Sequence, residues 1–521
     1  MKIKLAFTLL FFCLVASLAN AQNSDARIIV NADQGKYQIN KHIYGHFSEH
    51  LGRCIYGGIY VGEDNKVIPH TDGVRNDIIE ALKELSIPNL RWPGGCFADT
   101  YHWKDGVGPK NERPSLVNRW WGGETEDNSF GTHDFLNMCK LLDAEPYLSA
   151  NVGSGTVQEL IDWVQYTNHD GKSEMADWRR ANGQEKAWNV KYWGIGNETW
   201  GCGGNMTAEY YADVYRQYAT FLPGWGGGTE VYRIASGASG DNYHWTEVLM
   251  KNVPTSLMEA VALHHYAVIE WGDFGSKGPS VSFDERQYFI VMKNALVMEE
   301  LVTKHINIMD KYDPEKKVDL FVDEWGGWYD TEKELQNGVL FQQNTMRDAM
   351  IAGTTLNTFN NHADRVKMAN IAQVVNVLQA VILTDEEKML LTPTYHVMRM
   401  YKTHQDATLL PTFVDTDATY TFGEESLPAL SVSSSQAKDG KVHISLVNVD
   451  ASKSYSIDLD VRGGEFKNAT AEILASSKLQ DHNTFDNPNK ITPKEFKDFS
   501  FKKGKLTLDI PAFSVVVFEI N

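Results

Sequence analysis

Strand-like and helix-like runs alternate along most of this chain, and few folds accommodate that order. The strand-like runs are residues 43–47, 89–92, 146–150, 191–195, 233–236, 260–264, 319–323 and 366–369. Helical spacing marks 75–85, 135–142, 157–166, 285–312 and 334–352. Strand, helix and strand in succession give parallel pairing with the helices outside, and eight such units close into a (β/α)8 barrel of about 350 residues. A chain of 521 residues leaves room for a second module.

From about Thr392 the texture changes to short alternating runs, 442–449, 455–459, 471–474, 506–510 and 514–520, separated by Asp, Lys, Gly and Asn clusters. These read as an antiparallel, jelly-roll-like β-sandwich. Runs 26–30 and 36–39 precede the barrel and are expected to pair with this sandwich. The expected fold is thus α/β, a TIM barrel with a C-terminal sandwich. Its divisions are 1–21 signal peptide, 22–40 N-terminal strands, 41–390 barrel and 391–521 sandwich.

The N-terminus carries Lys2 and Lys4, then an apolar run, then Ala19-Asn20-Ala21 in small-x-small form. That is the pattern of a signal peptide, so the mature chain is expected to begin near Gln22 and be exported, to the periplasm or beyond. The run is short for a membrane span, and no other stretch approaches one. Cys13 falls inside it, leaving Cys54, Cys96, Cys139 and Cys202, too few for a disulfide scaffold in so long a chain. A formal charge of −19 argues against nucleic acid or an anionic membrane as partner and is compatible with a neutral polysaccharide.

Two glutamates end strand-like runs where a barrel presents its reactive side chains, Glu198 in KYWGIGNETWG and Glu324 in VDLFVDEWGGW. A carboxylate pair is the minimum equipment for breaking a glycosidic bond. A lone glutamate at a strand end is usually just solvated. Here Asn197 and Trp200 flank one, and Trp325 and Trp328 follow the other, and aromatic faces beside amides and carboxylates suit sugar rings. His264-His265 suggests a metal site, but neighbours on a strand point to opposite faces, so one belongs to the core and His264 to the pocket. The stretch 224–228 lacks the Lys-Ser/Thr of a phosphate loop and reads as a connection. Neither metal nor cofactor is implied.

In order along the chain, FSEHLGRCIYGGIY, RWPGGCFADTYHWKDGVGP, GIGNETWGCGG, VDEWGGWY and NIAQVVNVLQA resemble the retaining α-L-arabinofuranosidases of glycoside hydrolase family 51. The resemblance spans nearly all of the chain after residue 21 and implies hydrolysis of terminal α-L-arabinofuranosides from arabinan or arabinoxylan. It implies Glu198 as acid/base and Glu324 as nucleophile, with Arg91 hydrogen-bonding the nucleophile. Glu49 and Asn197 match contacts to the sugar hydroxyls, and Tyr266 and Gln373 further contacts. Trp103, Trp120 and Trp121 are candidates for the pocket or a leaving-group subsite. The resemblance also suggests a homo-oligomer, often a hexamer.

One position departs from the family pattern: Cys96 stands where many members have Asn after the paired glycines. It is expected at the sugar subsite, as a free thiol or in a disulfide with Cys54 or Cys202, Cys54 being favoured because strands one and two are neighbours. Other readings of the same barrel are an endo-glucanase, a β-xylosidase, or a carbohydrate-binding protein without catalysis. The presence of both glutamates disfavours the last.

Overall fold

A computed structural model describes residues 24–222, 230–271, 277–332 and 337–521. The signal-peptide segment 1–21 and the stretch 224–228 therefore lie outside the described residues. Eight parallel strands, Gly45–Phe47, Asn89–Trp92, Glu145–Ala150, Tyr192–Ile195, Tyr232–Ser239, Ala260–Ala267, Asp319–Gly327 and Val366–Ala372, follow one another around a barrel. They are numbered one to eight below. Asn370 of strand eight pairs with Gly45 of strand one and closes it.

Helices cover the barrel outside, and their starts are written in the sequence. Thr156 and Thr207 accept from the amides of Glu159 and Tyr210, three residues on, and begin helices Val157–Asn168 and Ala208–Thr220. Asp284 and Gln287 cap each other reciprocally at the head of Glu285–Tyr312. A second such pair, Thr345 with Asp348, starts the helix after strand seven at Met346, and it runs to Asn361. The apolar spacing at 334–352 placed that helix too early, because the capping pair, not the first apolar residues, fixes where it begins.

Inward residues near the start of the strands fill the barrel with an apolar plug of Tyr147, Tyr192, Ile234, Ala260, Ala262, Phe321 and Met368. Within it the rings of Tyr232 and Phe321 stack 5.7 Å apart. The plug floors the site above it, so polar side chains at the carboxyl ends meet one another rather than solvent channelled from below.

Strand Ala26–Asn31 enters the first sheet of the sandwich between Thr412–Thr416, antiparallel, and Tyr455–Arg462, parallel. Lys505–Ile510 and Phe499–Lys502 complete that sheet. The second contains Leu430–Gln436, Val442–Asn448, Ser514–Ile520 and Ala469–Leu474, with Thr408–Leu409 and Lys494–Glu495 at its edges. Residues 36–39 form no strand; Gln38 makes only an isolated bridge to Thr408. A short helix, Pro393–Tyr401, precedes the sandwich, begun by the Thr392 cap and proline in its first turn.

Helix Met346–Asn361 joins the two parts. Asn357 Nδ2 donates to Ser431 Oγ at 3.1 Å and Asn361 Nδ2 to the Val432 carbonyl at 2.9 Å. At Gly353 a Cβ would lie 2.8 Å from Val447 Cγ2, so the closeness of helix and sheet depends on the missing side chain. Among the described residues no helix is long and apolar enough to cross a membrane.

Candidate active site

Strand seven carries one residue more than its neighbours. Against strand six, Ala262 pairs with Phe321 and His264 with Glu324; against strand eight, Val322 pairs with Ala369 and Trp325 with Ile371. Such a bulge breaks the alternation of faces. Asp323 and Glu324, adjacent in sequence, both reach the same polar layer as a result.

That layer is closely wired. Arg91, from strand two, donates through Nη1 to Glu324 Oε1 at 2.9 Å and through Nη2 to Asn197 Oδ1 at 2.6 Å, while its Nε lies 3.6 Å from Asp323 Oδ2. Tyr266 OH donates to the other oxygen of Glu324 at 2.8 Å. His264 stands between three carboxylates, with Nδ1 at 2.9 Å from Glu198 Oε1 and 3.6 Å from Glu324 Oε2, and Nε2 at 3.1 Å from Asp323 Oδ1. Glu198, His264 and Glu324 each place a side-chain donor atom within 4.8 Å of the others. A cation could use that spacing, although Arg91 and Tyr266 already occupy both oxygens of Glu324.

Burial and charge set the protonation of these groups. Burial, together with the Glu324 charge and against the pull of His264, holds the Glu198 carboxyl above the usual carboxylate range. Burial alone would discharge His264, yet the charge of Glu324 and the contacts with Asp323 and Glu198 push it up to about 10. Burial would also raise Asp323, but Arg91 and His264 keep it below the ordinary aspartate value. The guanidinium of Arg91 stays charged for the same reason: its desolvation is outweighed by Asp323 and Glu324.

Glu198 is delivered by a tight turn after strand four, with φ of 41° at Glu198 and 83° at Gly196. A side chain at a left-handed backbone position costs free energy that the surroundings must supply. Here the amides of Gly201 and Gly203 donate to the Glu198 carbonyl at 2.7 and 3.1 Å. Asp99 ties the turn to its neighbours, accepting from the amides of Val152 and Gly153 at 2.7 Å each and Asn197 at 3.0 Å. Its burial outweighs those bonds and moves its carboxyl up to about 7.

A second carboxylate cradle lies beside the first. Glu49, 2% exposed, accepts from Phe97 N at 3.0 Å, Trp121 Nε1 at 2.8 Å and Gln373 Nε2 at 3.1 Å. The paired glycines make room for it, since a Cβ at Gly95 would lie 2.9 Å from both of its oxygens. Burial, and next the charge of Glu324, bring Glu49 up to about 7. Gln373 Oε1 has no partner among the described residues.

Cys96 is bonded to Cys202, with Cα atoms 5.4 Å apart, and not to the favoured Cys54, which is a buried free thiol, as is Cys139. Cys54 is buried in the core within the segment after strand one, whereas Cys202 lies on the turn that carries Glu198 and is bonded to the loop after strand two. Sγ of Cys202 lies 3.6 Å and Sγ of Cys96 4.0 Å from Glu198 Oε2.

Glu49, Glu198, His264, Tyr266, Glu324, Gln373 and the Cys96–Cys202 bond open on a cavity of about 970 Å³, walled by Trp120, Trp121, Trp200, Trp271, Trp328 and Tyr243. Two tryptophans expected to face sugar do not. Trp103 is core, parallel to Trp163 with ring centres 6.0 Å apart, and Trp325 is 1% exposed against Phe359. Of the histidine pair, His264 enters the polar layer while His265 turns to the Asn294 carbonyl at 2.8 Å. Sequence reasoning passed over Asp323, Asp99 and Tyr147, whose OH donates to Asp323 Oδ2 at 2.7 Å. Only Asp323 carried a signal, its place directly before Glu324.

A closed barrel bearing two neighbouring carboxylates on strands four and seven, one raised by burial above the usual carboxylate range and the other paired with arginine, defines a glycoside hydrolase. Comparison with known proteins narrows the class. Residues 81–271 match the alpha-L-arabinofuranosidase 1 domain and residues 323–514 the alpha-L-arabinofuranosidase C-terminal domain. An intracellular exo-alpha-L-arabinofuranosidase of Bacteroides ovatus is 51% identical over 521 residues, covering 100% of both chains. The crystal structure of a GH51 arabinofuranosidase from Xanthomonas axonopodis pv. citri superposes with a TM-score of 0.93 at 44% identity, covering 96% of this chain and 100% of that one. An α-L-arabinofuranosidase of Thermotoga maritima in complex with arabinose superposes at 0.82 with 30% identity, covering 95% and 99%.

The chain belongs to the α-L-arabinofuranosidases of glycoside hydrolase family 51. One expectation is corrected by the same comparison. Export was read from residues 1–21, but the Bacteroides ovatus relative, which aligns over the full length with those residues included, is named an intracellular enzyme.

Proposed function

We propose that the chain is an exo-acting, retaining α-L-arabinofuranosidase that removes terminal arabinofuranosyl groups from arabinan or arabinoxylan fragments. The observation that carries this reading is the closeness of Glu198 and Glu324, which place oxygens within 4.8 Å of each other. That leaves no room for a water between acid and base, and suits direct attack by one carboxylate.

In this reading Glu324, held by Arg91 and Tyr266, attacks the anomeric carbon while Glu198 protonates the departing oxygen. The carbon–oxygen bond to the leaving group breaks as the bond to Glu324 forms. Glu198, now ionised, takes a proton from water, whose oxygen displaces Glu324 and restores the free carboxylate. Glu49 and Gln373 bind the sugar hydroxyls, and Asn197, positioned by Arg91, binds the hydroxyl next to the anomeric carbon. The disulfide of Cys96 walls the subsite, and His264 acts on Glu198. The name of the Bacteroides ovatus relative supports the exo mode. The division into a barrel at 41–390 and a sandwich at 391–521 with strands from 22–40, and assembly into a homo-oligomer, belong to the same proposal.

The test is Glu198→Ala. Hydrolysis of oligosaccharides, which need protonation, is expected to fall about 10²- to 10⁴-fold. Activated aryl arabinofuranosides should retain more activity and yield an arabinofuranosyl azide when azide is added. Glu324→Ala should be inactive on both. Equal loss on the two substrates, with no azide product, would refute the assignment of Glu198.

A further inference from the structure

Asp323 does not line the cavity and is 2% exposed, so a bound sugar meets other groups first. Its oxygens are nonetheless fully engaged. Tyr147 OH donates to Oδ2, Arg91 Nε lies 3.6 Å from the same oxygen, and His264 Nε2 lies 3.1 Å from Oδ1. A carboxylate kept ionised beside a guanidinium only accepts hydrogen bonds, so the imidazole nitrogen that faces it must carry a hydrogen. This fixes which way the ring stands, and it leaves Nδ1 as the atom that faces Glu198 Oε1 at 2.9 Å.

The contact between Nδ1 and Oε1 can hold its proton on either atom. With the proton on nitrogen, the ring is an imidazolium donating to the Glu198 carboxylate; with it on oxygen, neutral Nδ1 accepts from the carboxylic acid. The negative charge on the far side of the ring decides how readily the proton moves between them. We infer that Asp323 is a positioning residue for the acid/base, acting on Glu198 through His264 by orienting the ring and setting where that proton rests. The other groups facing this line are Glu324, from strand seven, Arg91 from strand two, Tyr147 from strand three and Tyr266 from strand six. The upward displacement of His264 and the downward one of Asp323 agree with the arrangement.

The inference rests on Glu198 being the acid/base, and the experiment separates the two. Asp323→Asn keeps the shape and removes the charge. Its kcat/KM is expected to fall about tenfold or more further on an arabino-oligosaccharide than on an aryl arabinofuranoside that leaves unprotonated. Adding Asp323→Asn to His264→Gln should leave the ratio between the substrates where His264→Gln alone puts it, because the route to Glu198 is already cut. In the wild type, ¹⁵N NMR of His264 should show a proton on Nε2 across neutral pH, a readout that survives if Asp323→Asn fails to fold. Equal loss on both substrates, a further change of the ratio in the double variant, or an unprotonated Nε2 would each overturn the inference. If Glu198→Ala still discriminates between leaving groups in that case, the acid/base assignment stands and only the role of Asp323 falls.

Discussion

Replacing Glu49 by Gln tests the electrostatics of the sugar cradle through stability. Burial and the charge of Glu324 raise the Glu49 carboxyl from 4.5 to about 7 in the folded protein. In the unfolded chain it returns to its ordinary value. Below about pH 4.5 the group is protonated in both states and contributes no pH-dependent term. As pH rises toward 7 the unfolded state releases its proton first, so folding loses free energy, and above 7 the loss is complete at about 3 kcal/mol. The Gln variant carries no such term. Its single amide oxygen can accept from Phe97 and Trp121, and its NH2 can donate to the unpartnered Oε1 of Gln373 once that amide turns over. For a chain of this length about 3 kcal/mol corresponds to roughly 3 °C in Tm. Thermal scans of both proteins at pH 4.5, 6 and 7.5 should show Glu49→Gln gaining about 3 °C on the wild type as pH rises. A gap that stays constant, or opens in favour of the wild type, would show that Glu49 is ionised in the fold at no cost, contrary to the argument from burial.

Two other outcomes follow from packing and covalent structure. A dithiol should add two titratable thiols by opening Cys96–Cys202 and should raise KM for the arabinofuranoside, since the turn carrying Glu198 loses its tie to the loop after strand two; unchanged kinetics after full reduction would make the bond a bystander. Gly353→Val should cost about 1–3 kcal/mol of stability through its clash with Val447, read by urea denaturation, with kcat/KM on aryl arabinofuranoside preserved; an unaffected midpoint would mean that helix and sheet are not in close contact there.

Much of the scaffold was legible because period and capping report it locally. Asn89–Trp92, Glu285–Tyr312 and Ser514–Ile520 match their sequence-derived bounds residue for residue. Glu198 and Glu324 were legible as strand-end carboxylates with aromatic company, and the structure brings them to one polar layer with Arg91, Asn197, His264 and Tyr266. What stayed hidden depends on contacts between distant segments. Strict alternation turns Asp323 away from Glu324, and only the bulge in strand seven, visible through pairing with strands six and eight, brings both inward. Sequence neighbourhood favoured Cys54 for Cys96, because nothing local says that the turn after strand four folds over the loop after strand two. Trp103 and Trp325 carry the same residue type as Trp121 and Trp328, and their direction is set by packing against Trp163 and Phe359.

The central claim is that Glu324 becomes covalently bonded to the sugar. Incubation with a 2-deoxy-2-fluoro-arabinofuranosyl inactivator, whose fluorine slows release of the glycosyl-enzyme, followed by proteolysis and tandem mass spectrometry, locates that bond directly. The label is expected on Glu324, distinguished by fragment ions from Asp323 beside it, with none on Glu198. A label on Asp323 or Glu198, or complete absence of a covalent adduct under conditions where the inactivator binds, would contradict the double displacement and the roles assigned to the two glutamates.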